Sequence, residues 1–480
     1  MRQTGRTSST TTEAEVLTPL DSALERSVHG TAPDLPRVLN TSHATAIVVG
    51  TIIGSGIFLV PQEMMRATGS SSLVYLAWIA GGLLSLFGAM TYAELSTLLP
   101  YAGGEYVYIR GVYGDLPAFL YMWTWFAVAK PASIASVTTG LARTLAIFPA
   151  LHWLEGTAFH APFAVMWSQI FAIVATWLIT GLNYLGIRKA GDFQLVFTWL
   201  KGVLIVAIAG ICFGSMAGHW SNSATSFLGA HGGFGGFMIA LIAALWAYDG
   251  WNDLTMVAGE VRNPKRSLPI ALIAGLGIVG VLYMATNAAI QYILPAAQIA
   301  ASPRPAVTAL ATITGPWGAG LVSIAMAVSI FVTLNGTIMS GARVPFAAAR
   351  DGLFFRRMAD IHPRFASPST SLIVQALLTT GLLLAVGRFQ QLFELAIFAE
   401  WLFYMITATT IFFYRRRETG EKIYRVWGYP VVPALFVAAA AVLLVYSYAE
   451  NLKNSLIGTA IILLGVPLFT AFRKRPGIST

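Results

Sequence analysis

Long apolar runs separated by short polar segments dominate this chain. Each run of about 20 apolar residues is long enough to cross a bilayer as one helix. The pattern predicts twelve such spans, at residues 43–62, 72–97, 115–145, 163–184, 194–216, 234–258, 268–294, 317–341, 370–387, 391–414, 429–449 and 454–472. Helices satisfy their backbone hydrogen bonds internally, so we predict an all-α membrane protein.

The composition agrees with a membrane protein. Of 480 residues, 56% are hydrophobic and only 11% are charged, whereas roughly 25% are charged in soluble domains. Residues 1–42 are rich in Ser and Thr at their start and contain no apolar core, so we predict a disordered cytoplasmic tail and no signal peptide. The single cysteine, Cys212, lies in an apolar run and permits no intrachain disulfide.

The distribution of Lys and Arg predicts the orientation. With the N-terminus inside, 23 of the 30 Lys and Arg residues fall in cytoplasmic segments, 5 fall outside and 2, Lys130 and Lys201, fall within spans. An even number of spans then places both termini in the cytoplasm, as in a multi-pass protein of the inner, cytoplasmic membrane. The net charge of +9 is explained by basic internal loops beside anionic lipid, and it requires no nucleic-acid partner.

Glycine interrupts the first predicted span. Residues 50–58, GTIIGSGIF, place three glycines within seven positions, and each weakens a helix interior by about 1 kcal/mol relative to alanine. Backbone groups released from a helix at membrane depth need partners inside the protein. We therefore predict a break from Ile53 to Gly56 whose N–H and C=O groups bind a small polar ligand.

Polar residues interrupt the sixth predicted span. After an apolar stretch ending at Leu245, the segment WAYDGWND at 246–253 places two carboxylates, a glycine and an amide near mid-membrane. Ionisable groups at that depth are costly and commonly functional. Asp249 adjoins the expected break. Asp253 is equally compatible with an ion pair inside the bundle or a position in a cytoplasmic vestibule.

The two interrupted spans are the first and the sixth. If spans one to five and six to ten form two halves of opposite orientation, the breaks occupy equivalent positions, which is typical of secondary transporters with inverted repeats. This arrangement is inferred from topology, since the halves share no visible residue similarity. It predicts a tail at 1–42, repeats at 43–216 and 234–414, two further spans at 429–472 and a cytoplasmic tail at 473–480.

Nine ordered segments resemble the L-type amino acid transporters, the light-subunit family of the amino acid–polyamine–organocation superfamily. They are GTIIGSGIF at 50–58, YAEL at 92–95, GGEY at 103–106, VYGDLPAFL at 112–120, WAYDGWN at 246–252, GEVRNPKRSLP at 259–269, LNG at 334–336, ARDG at 349–352 and IHP at 361–363. Only the N-terminal tail and the last two spans match weakly. Because the segments cover most of the chain in order, the match is more specific than any single glycine motif.

The resemblance implies a 5+5 inverted repeat that transports amino acids by alternating access, with discontinuous helices 1 and 6. An amino acid zwitterion needs donors for its carboxylate, which the N–H groups around Ser55 and Gly56 supply. Its ammonium needs acceptors, for which the carbonyls at Ile52 and at 246–249 are suited. The substrate-binding residues implied are Ile52, Ile53, Gly54, Ser55, Gly56, Trp246, Ala247, Asp249 and Asn252.

Two of these positions, Trp246 and Asp249, bear on how the substrate is enclosed and on its charge. Trp246 stands where similar transporters place an aromatic ring that closes over the substrate, although most of the thirteen tryptophans are expected to pack or to lie at the membrane interface. Asp249 occupies a position that is glycine in other family members. A carboxylate there suits an ammonium or a cationic side chain, yet members with neutral substrates also tolerate it, so the substrate charge stays open.

Lys201 lies about seven residues into the fifth predicted span, or roughly 10 Å at 1.5 Å per residue. In L-type transporters a lysine ammonium stands where sodium-coupled relatives bind a cation between helices one and eight. The resemblance therefore implies that Lys201 bonds carbonyls near Ile53 and in the region of Thr333 or Asn335. It also favours sodium-independent exchange. Snorkelling of the lysine to the cytoplasmic interface is the alternative.

Other charged residues have weaker claims. Lys130, which precedes Pro131, fits a structural charge inside the bundle better than a substrate contact. Several more lie at predicted cytoplasmic helix ends, where they form either a latch for the inward gate or solvated loop charges; these are Glu94, Glu105, Glu260, Arg350 and Asp351.

The motifs of other function classes are missing from the sequence. No CxxC, P-loop or nucleophile elbow is present, and the seven histidines do not pair at metal-ligand spacing. We therefore expect no enzyme, no cofactor and no metal site. The alternative function is a proton- or sodium-coupled symporter of amino acids or polyamines that uses Asp249 and Asp253; a channel or membrane enzyme is a distant third.

The resemblance also bears on partners. Eukaryotic relatives bind a single-span glycoprotein through an extracellular cysteine. Cys212 lies within a span, so no disulfide-linked heavy subunit is expected. The sequence favours a lone, bacterial protein in the inner membrane, and its expected partners are amino acid substrates and the lipid bilayer.

Overall fold

Helices make up most of the structure. The computed structural model describes residues 35–159, 164–227, 232–385, 389–417, 424–450 and 452–473. The predicted tail at 1–34 and the last residues, 474–480, lie outside this part of the chain. Within this part of the chain, two short strands, β1 (Thr157–Phe159) and β2 (Val165–Met166), form an antiparallel sheet.

The α-helices follow one another with short connections. In the first part of the chain they are α1 (Thr41–Ile52), α2 (Gly56–Thr68), α3 (Ser71–Leu98), α4 (Glu105–Tyr113), α5 (Asp115–Thr124), α6 (Lys130–Leu145), α7 (Trp167–Tyr184) and α8 (Ile187–Gly214). In the second part they are α9 (Gly233–Ala247), α10 (Asp253–Met256), α11 (Pro264–Ile293), α12 (Ala296–Ala301), α13 (Pro305–Thr314), α14 (Pro316–Gly341), α15 (Arg343–Arg350), α16 (Ser369–Ala385), α17 (Phe389–Tyr414), α18 (Val431–Glu450) and α19 (Leu452–Arg473).

Short 3-10 helices and one π-helix complete these elements. The 3-10 helices are Pro149–Glu155, Trp220–Ala224, Ala258–Glu260, Arg356–Ala359 and Arg415–Arg417. The π-helix, Trp125–Ala129, joins α5 to α6. A single wide turn of this kind often marks a functional position within a helix.

Six helices of the described chain are long and apolar enough to cross a membrane, and the bent pair of α1 and α2 adds a seventh if it is one span. The six are Ser71–Leu98, Ile187–Gly214, Pro264–Ile293, Pro316–Arg350, Val431–Ala449 and Ser455–Phe472. They coincide with predicted spans two, five, seven, eight, eleven and twelve. The count of twelve spans and the inverted repeat stay predictions.

Two boundaries differ from the prediction. Residues 35–42 were expected to belong to a disordered tail, but Leu35 and Leu39 are buried, and the Leu39 carbonyl accepts a hydrogen bond of 2.7 Å from the Arg262 amide. Helix α8 begins at Ile187, ahead of the predicted start at 194, because its polar first turns are helical before the apolar run begins. Hydropathy locates the apolar part of a helix and misses such polar extensions.

A large buried core surrounds the two helix interruptions. Trp78 of α3 is fully buried, and its ring packs edge-on against Tyr248 and Tyr283, with centroids 5.8 and 5.2 Å apart. Gly81 of α3 allows α9 to approach closely, since a Cβ there would lie 3.0 Å from the Cβ of Ala244.

We call the face where α1 begins the near face and the face where α2 ends the far face.

Candidate substrate-binding site

The first interruption lies between α1 and α2. Helix α1 ends at Ile52, α2 begins at Gly56, and the two are bent by 41°. The first amides of a helix have no carbonyl one turn earlier, and the Ser55 side chain makes no capping hydrogen bond. The start of α2 therefore presents donor groups, and the positive end of its dipole, to the adjoining space.

The second interruption lies between α9 and α10. Helix α9 ends at Ala247 and α10 begins at Asp253. In the connecting turn Gly250 has φ +103°, and a Cβ there would lie 3.1 Å from Cγ2 of Thr51 on α1. Glycine suits both the left-handed conformation and the close approach. The turn packs against the end of α1, so the two interruptions lie together.

Tyr283 of α11 ties the two interruptions to each other. Its hydroxyl lies 3.1 Å from the Ile52 carbonyl oxygen and 2.7 Å from that of Ala247. The Ile52 carbonyl also accepts the Gly54 amide at 2.8 Å. A hydroxyl carries one hydrogen, which the shorter distance assigns to the Ala247 carbonyl, so the Ile52 carbonyl holds the Gly54 amide and retains acceptor capacity. Tyr283 was missed because its role depends on tertiary packing.

A cavity of about 540 Å³ adjoins both interruptions. Most of the residues that the resemblance assigned to the substrate line it, namely Ile52, Gly54, Ser55, Gly56, Trp246, Ala247, Asp249 and Asn252. Ile53 is the exception. Its side chain is fully buried, and its carbonyl accepts a hydrogen bond from Lys201 instead of facing the cavity.

The cavity extends toward the far face. Its lining includes Glu63, in the second half of α2, and Arg143, two residues before the end of α6. Both side chains are exposed. Charges of opposite sign therefore stand on two helices at this end of the cavity.

Lys130 and Asp253 form a buried ion pair in the cavity wall. Nζ of Lys130 lies 2.6 Å from Oδ1 of Asp253. The same Nζ is 4.5 Å from the ring centroid of Trp125, at the start of the π-helix. Both partners of the pair are largely buried, and each neutralises the other. This geometry agrees with two interpretations of the sequence. Lys130 is a structural charge inside the bundle, and Asp253 belongs to an ion pair there.

Tyr404 of α17 connects Asp249 to a second buried acid. Its hydroxyl lies 2.8 Å from Oδ1 of Asp249 and 3.0 Å from Oδ1 of Asn252. Nδ2 of Asn252 donates to Oε1 of Glu105 at 2.8 Å. Glu105 is fully buried. It therefore holds Asn252, which lines the cavity. The alternative interpretation of Glu105 as a solvated charge at a helix end is wrong.

Glu400 also lines the cavity, and the sequence interpretation missed it. It lies one turn before Tyr404 on α17 and makes no hydrogen bond within the described part of the chain. The signal was available, since the segment AIFAEWLF at 396–403 places one ionisable residue in an apolar run.

No three His, Cys, Asp or Glu side chains among the described residues are arranged to hold a metal ion.

Lys201 lies on the other side of α1. Its Nζ donates to the carbonyls of Gly50 at 2.6 Å and Ile53 at 2.8 Å, and the side chain is fully buried. The hydroxyl of Thr333 on α14 lies 3.2–3.3 Å from the carbonyl oxygens of Gly50, Thr51 and Ile53. These contacts join α8 and α14 to the end of α1. They are incompatible with a snorkelling lysine in this state.

Asn335 belongs to a different network. Its Nδ2 donates to Oε1 of Gln194 at 2.7 Å and to the Ala190 carbonyl at 3.1 Å. Its Oδ1 accepts from Nδ2 of Asn183 at 2.9 Å. Asn335 therefore joins α14 to α7 and α8, and of the two positions proposed for span eight only Thr333 shares carbonyls with Lys201.

Ion pairs close the near face below the cavity. Nε of Arg343 lies 2.8 Å from Oε1 of Glu260, and both side chains are fully buried. Arg415 pairs with Glu94 at 2.6 Å, and Arg110 pairs with Asp351 at 2.7 Å. Burial raises the pKa of Asp351, while Arg110 lowers it. Three of the five charges named for the latch, Glu94, Glu260 and Asp351, thus hold helices together here.

The Arg350 guanidinium lies 5.8 Å from the Phe346 ring centroid. The near face is further closed by main-chain contacts, since Leu39 pairs with Val261 as parallel bridge partners. The cavity is therefore accessible from the far face and sealed from the near face.

Comparisons with known proteins identify the family of this chain. The family model described as amino acid permease matches residues 39–467. The serine/threonine exchanger SteT of Bacillus subtilis is 32% identical over 92% of this chain and 98% of its own length. The b(0,+)-type amino acid transporter 1 of Mus musculus is 32% identical over 80% of this chain and 77% of its own.

The cystine/glutamate transporter of Homo sapiens is 29% identical over 92% of this chain and 87% of its own length. These matches confirm the resemblance carried by the sequence motifs. The chain belongs to the amino acid permease family, among the L-type, light-subunit transporters of the amino acid–polyamine–organocation superfamily.

Proposed function

We propose that this protein carries amino acids across the membrane by alternating access, in sodium-independent exchange. The supporting observation is the cavity between two interrupted helices, where unpaired amides of α2 adjoin the carbonyl end of α9. Discontinuous helices of this kind bind substrates near mid-membrane in secondary transporters. The similarity to a serine/threonine exchanger supports exchange as the mode of transport.

The two interruptions offer complementary groups to a zwitterion. The amides at Ser55 and Gly56, together with the Ser55 hydroxyl, would bind the α-carboxylate. The α-ammonium would bind at the end of α9, where the Ala247 carbonyl holds one hydrogen bond from Tyr283 and retains a second lone pair. Trp246 would close over the substrate from the same helix end.

Lys201 supports transport without sodium. Its Nζ bonds the Gly50 and Ile53 carbonyls at the end of α1, and the Thr333 hydroxyl of α14 lies 3.2 and 3.3 Å from the same two oxygens. A site whose carbonyls are already bound to a lysine has no vacancy for a metal cation. In this proposal Lys201 holds α1 to α8 in the present state, and the contact changes when the cavity opens to the other side.

The topology completes the proposal. Twelve spans, a 5+5 inverted repeat over 43–216 and 234–414, and cytoplasmic termini would make the near face cytoplasmic. The structure would then be an outward-facing state in the inner membrane. Cys212 is 1% exposed within α8, so an intersubunit disulfide is not proposed, and the protein would act without a covalently linked heavy subunit.

A second function has one observation in its favour. Asp249 and Glu400 both line the cavity, and carboxylates at that depth can carry protons. A proton- or sodium-coupled symporter of amino acids or polyamines is therefore the alternative, and it is separable by experiment.

The test is uptake of radiolabelled amino acids by the purified protein in proteoliposomes, with and without internal amino acid. Exchange predicts strong stimulation by internal substrate, and equal uptake when choline replaces sodium. Protein-free liposomes and a Gly56→Leu variant are the controls. Uptake that needs a sodium gradient, or that a protonophore abolishes, would overturn exchange in favour of symport.

A further inference from the structure

The charges that line the cavity do not balance. Six charged side chains contribute to its wall: Glu63, Lys130, Arg143, Asp249, Asp253 and Glu400. Glu63 and Arg143 have opposite signs and stand toward the far face. Lys130 is paired with Asp253 at 2.6 Å. Asp249 and Glu400 therefore remain as two carboxylates without a cationic partner among the described residues of the wall.

The two carboxylates stand on the same side of the cavity. The Tyr404 hydroxyl lies 2.8 Å from Oδ1 of Asp249. Glu400 precedes Tyr404 by four residues on α17, which places the two side chains on one helix face about 6 Å apart along the axis. Both line the same cavity as Asp249. The acids are thus on adjoining parts of one wall, contributed by α17 and by the turn after α9.

Such an arrangement is costly without a cation. Ionised groups at membrane depth require a partner, because little water reaches them once a transport cavity closes. The other cation near the site, Lys201, bonds main-chain carbonyls of α1 and does not line the cavity. A cation that arrives with the substrate can supply this charge; protonation of an acid is the other way to remove the imbalance.

The neighbouring aromatic rings suit a cationic group. Trp125, Trp246 and Tyr404 line the cavity with the two acids, and such rings attract ammonium and guanidinium ions on their faces. Trp125 already lies 4.5 Å from Nζ of Lys130. A volume of about 540 Å³ falls within the usual range for small-molecule sites, so an extended amino acid side chain has space.

We propose that Glu400 is a specificity-determining residue that, together with Asp249, selects amino acids whose side chain carries a positive charge. This inference rests on the proposed function, since it assumes that the zwitterion binds at the helix interruptions. The side chain then extends toward α17, where its cation is placed between the two carboxylates. Glu400 supplies the charge that discriminates, and Tyr404 keeps Asp249 oriented toward it.

The test compares lysine with norleucine, which has the same carbon chain without the terminal ammonium. Exchange of each is measured in proteoliposomes for wild type, Glu400→Gln and Glu400→Asp. Wild type is expected to prefer lysine, and Glu400→Gln to lower the lysine-to-norleucine ratio by about tenfold or more, the effect of losing one charge-assisted contact. Glu400→Asp restores part of the ratio. Glu155→Gln, in an exposed 3-10 helix, is the matched control and leaves the ratio unchanged.

Ligand-induced shifts in Tm of the purified variants give a second measurement, which does not depend on turnover and shows whether each variant is folded. An unchanged ratio in a folded Glu400→Gln variant would overturn this inference and leave exchange intact. A wild-type preference for norleucine, with pH-dependent uptake lost in Glu400→Gln, would also overturn it, because a proton would then neutralise the acid. Exchange of neither amino acid would instead count against the proposed function.

Discussion

Lys201 connects three helices through main-chain oxygen atoms. Its Nζ donates to the carbonyls of Gly50 and Ile53 at the end of α1, and the Thr333 hydroxyl of α14 lies within hydrogen-bond distance of the same oxygens. Carbonyls at a helix end carry partial negative charge, so a lysine there satisfies groups that would otherwise need water or a cation. The sequence placed Lys201 in a span, and the resemblance supplied its partners; Asn335 shows that spacing alone could not choose between candidates on α14.

Replacing Lys201 with Ala should slow exchange by about tenfold or more while changing substrate affinity less, because the contacts hold helix positions and do not face the cavity. The measurement is the maximal exchange rate and KM in proteoliposomes. Lys189→Ala, on an exposed position of the same helix, is the matched control. Equal losses in affinity and rate would show that Lys201 acts on binding.

Gly56 leaves little space for a side chain. A Cβ there would lie 3.2 Å from the Cβ of Ala247 and 3.5 Å from the Trp246 ring, so a leucine side chain would fill the space beside the first amides of α2. Gly56→Leu should abolish substrate-induced shifts in Tm while the protein remains folded. Gly210→Leu is the control, since that glycine is exposed and has open space around it. Retained binding in Gly56→Leu would place the site elsewhere.

At the scale of elements, the interruptions were predictable and their alignment was not. Three glycines in residues 50–58 and the polar segment 246–253 each signal a helix that cannot continue. Their contact depends on tertiary packing. Gly250 meets Thr51, and Tyr283 of α11 reaches across to both helix ends. In the sequence Tyr283 is one tyrosine in an apolar run, with no neighbouring motif.

Removing the Tyr283 hydroxyl should loosen both interruptions. In Tyr283→Phe the Ala247 carbonyl loses its donor, which costs about 1–3 kcal/mol for a buried group, so we expect a lower Tm and about tenfold weaker substrate binding. Tyr248→Phe is the matched control, because its ring packs 5.0 Å from that of Tyr283 and its hydroxyl makes no hydrogen bond in the described part of the chain. Equal effects of the two substitutions would contradict the role of Tyr283.

At the scale of the whole molecule, the two faces differ in how they are closed. Near-face ion pairs, including the fully buried pair of Glu260 and Arg343, seal one end, and the cavity extends to the other. Opening the near face requires that these pairs separate or move together, since leaving one buried charge alone is strongly unfavourable. The sequence indicated a charge cluster at this face. It did not give the partners, because Arg343 and Arg415 come from helices distant in sequence.

The hydropathy pattern predicted the fold class, and the family resemblance predicted most of the residues that line the cavity. Eight of the nine assigned binding residues line the cavity, whereas Ile53 turns away from it toward Lys201. Glu400 shows the limit of motif reasoning. It lies in a span without a shared motif, and only the packing of α17 against the turn after α9 brings it to the cavity.

The most direct test of the account is whether the site requires both ends of a zwitterion. Binding of lysine and norleucine, measured as shifts in Tm, is compared with analogues that lack the α-carboxyl group, cadaverine and pentylamine, and the α-amino group, ε-aminocaproate and hexanoate. The account predicts that the preferred amino acid binds and that removal of either group abolishes its binding. Binding of an analogue as tightly as its parent amino acid would contradict a site built from the two interrupted helices.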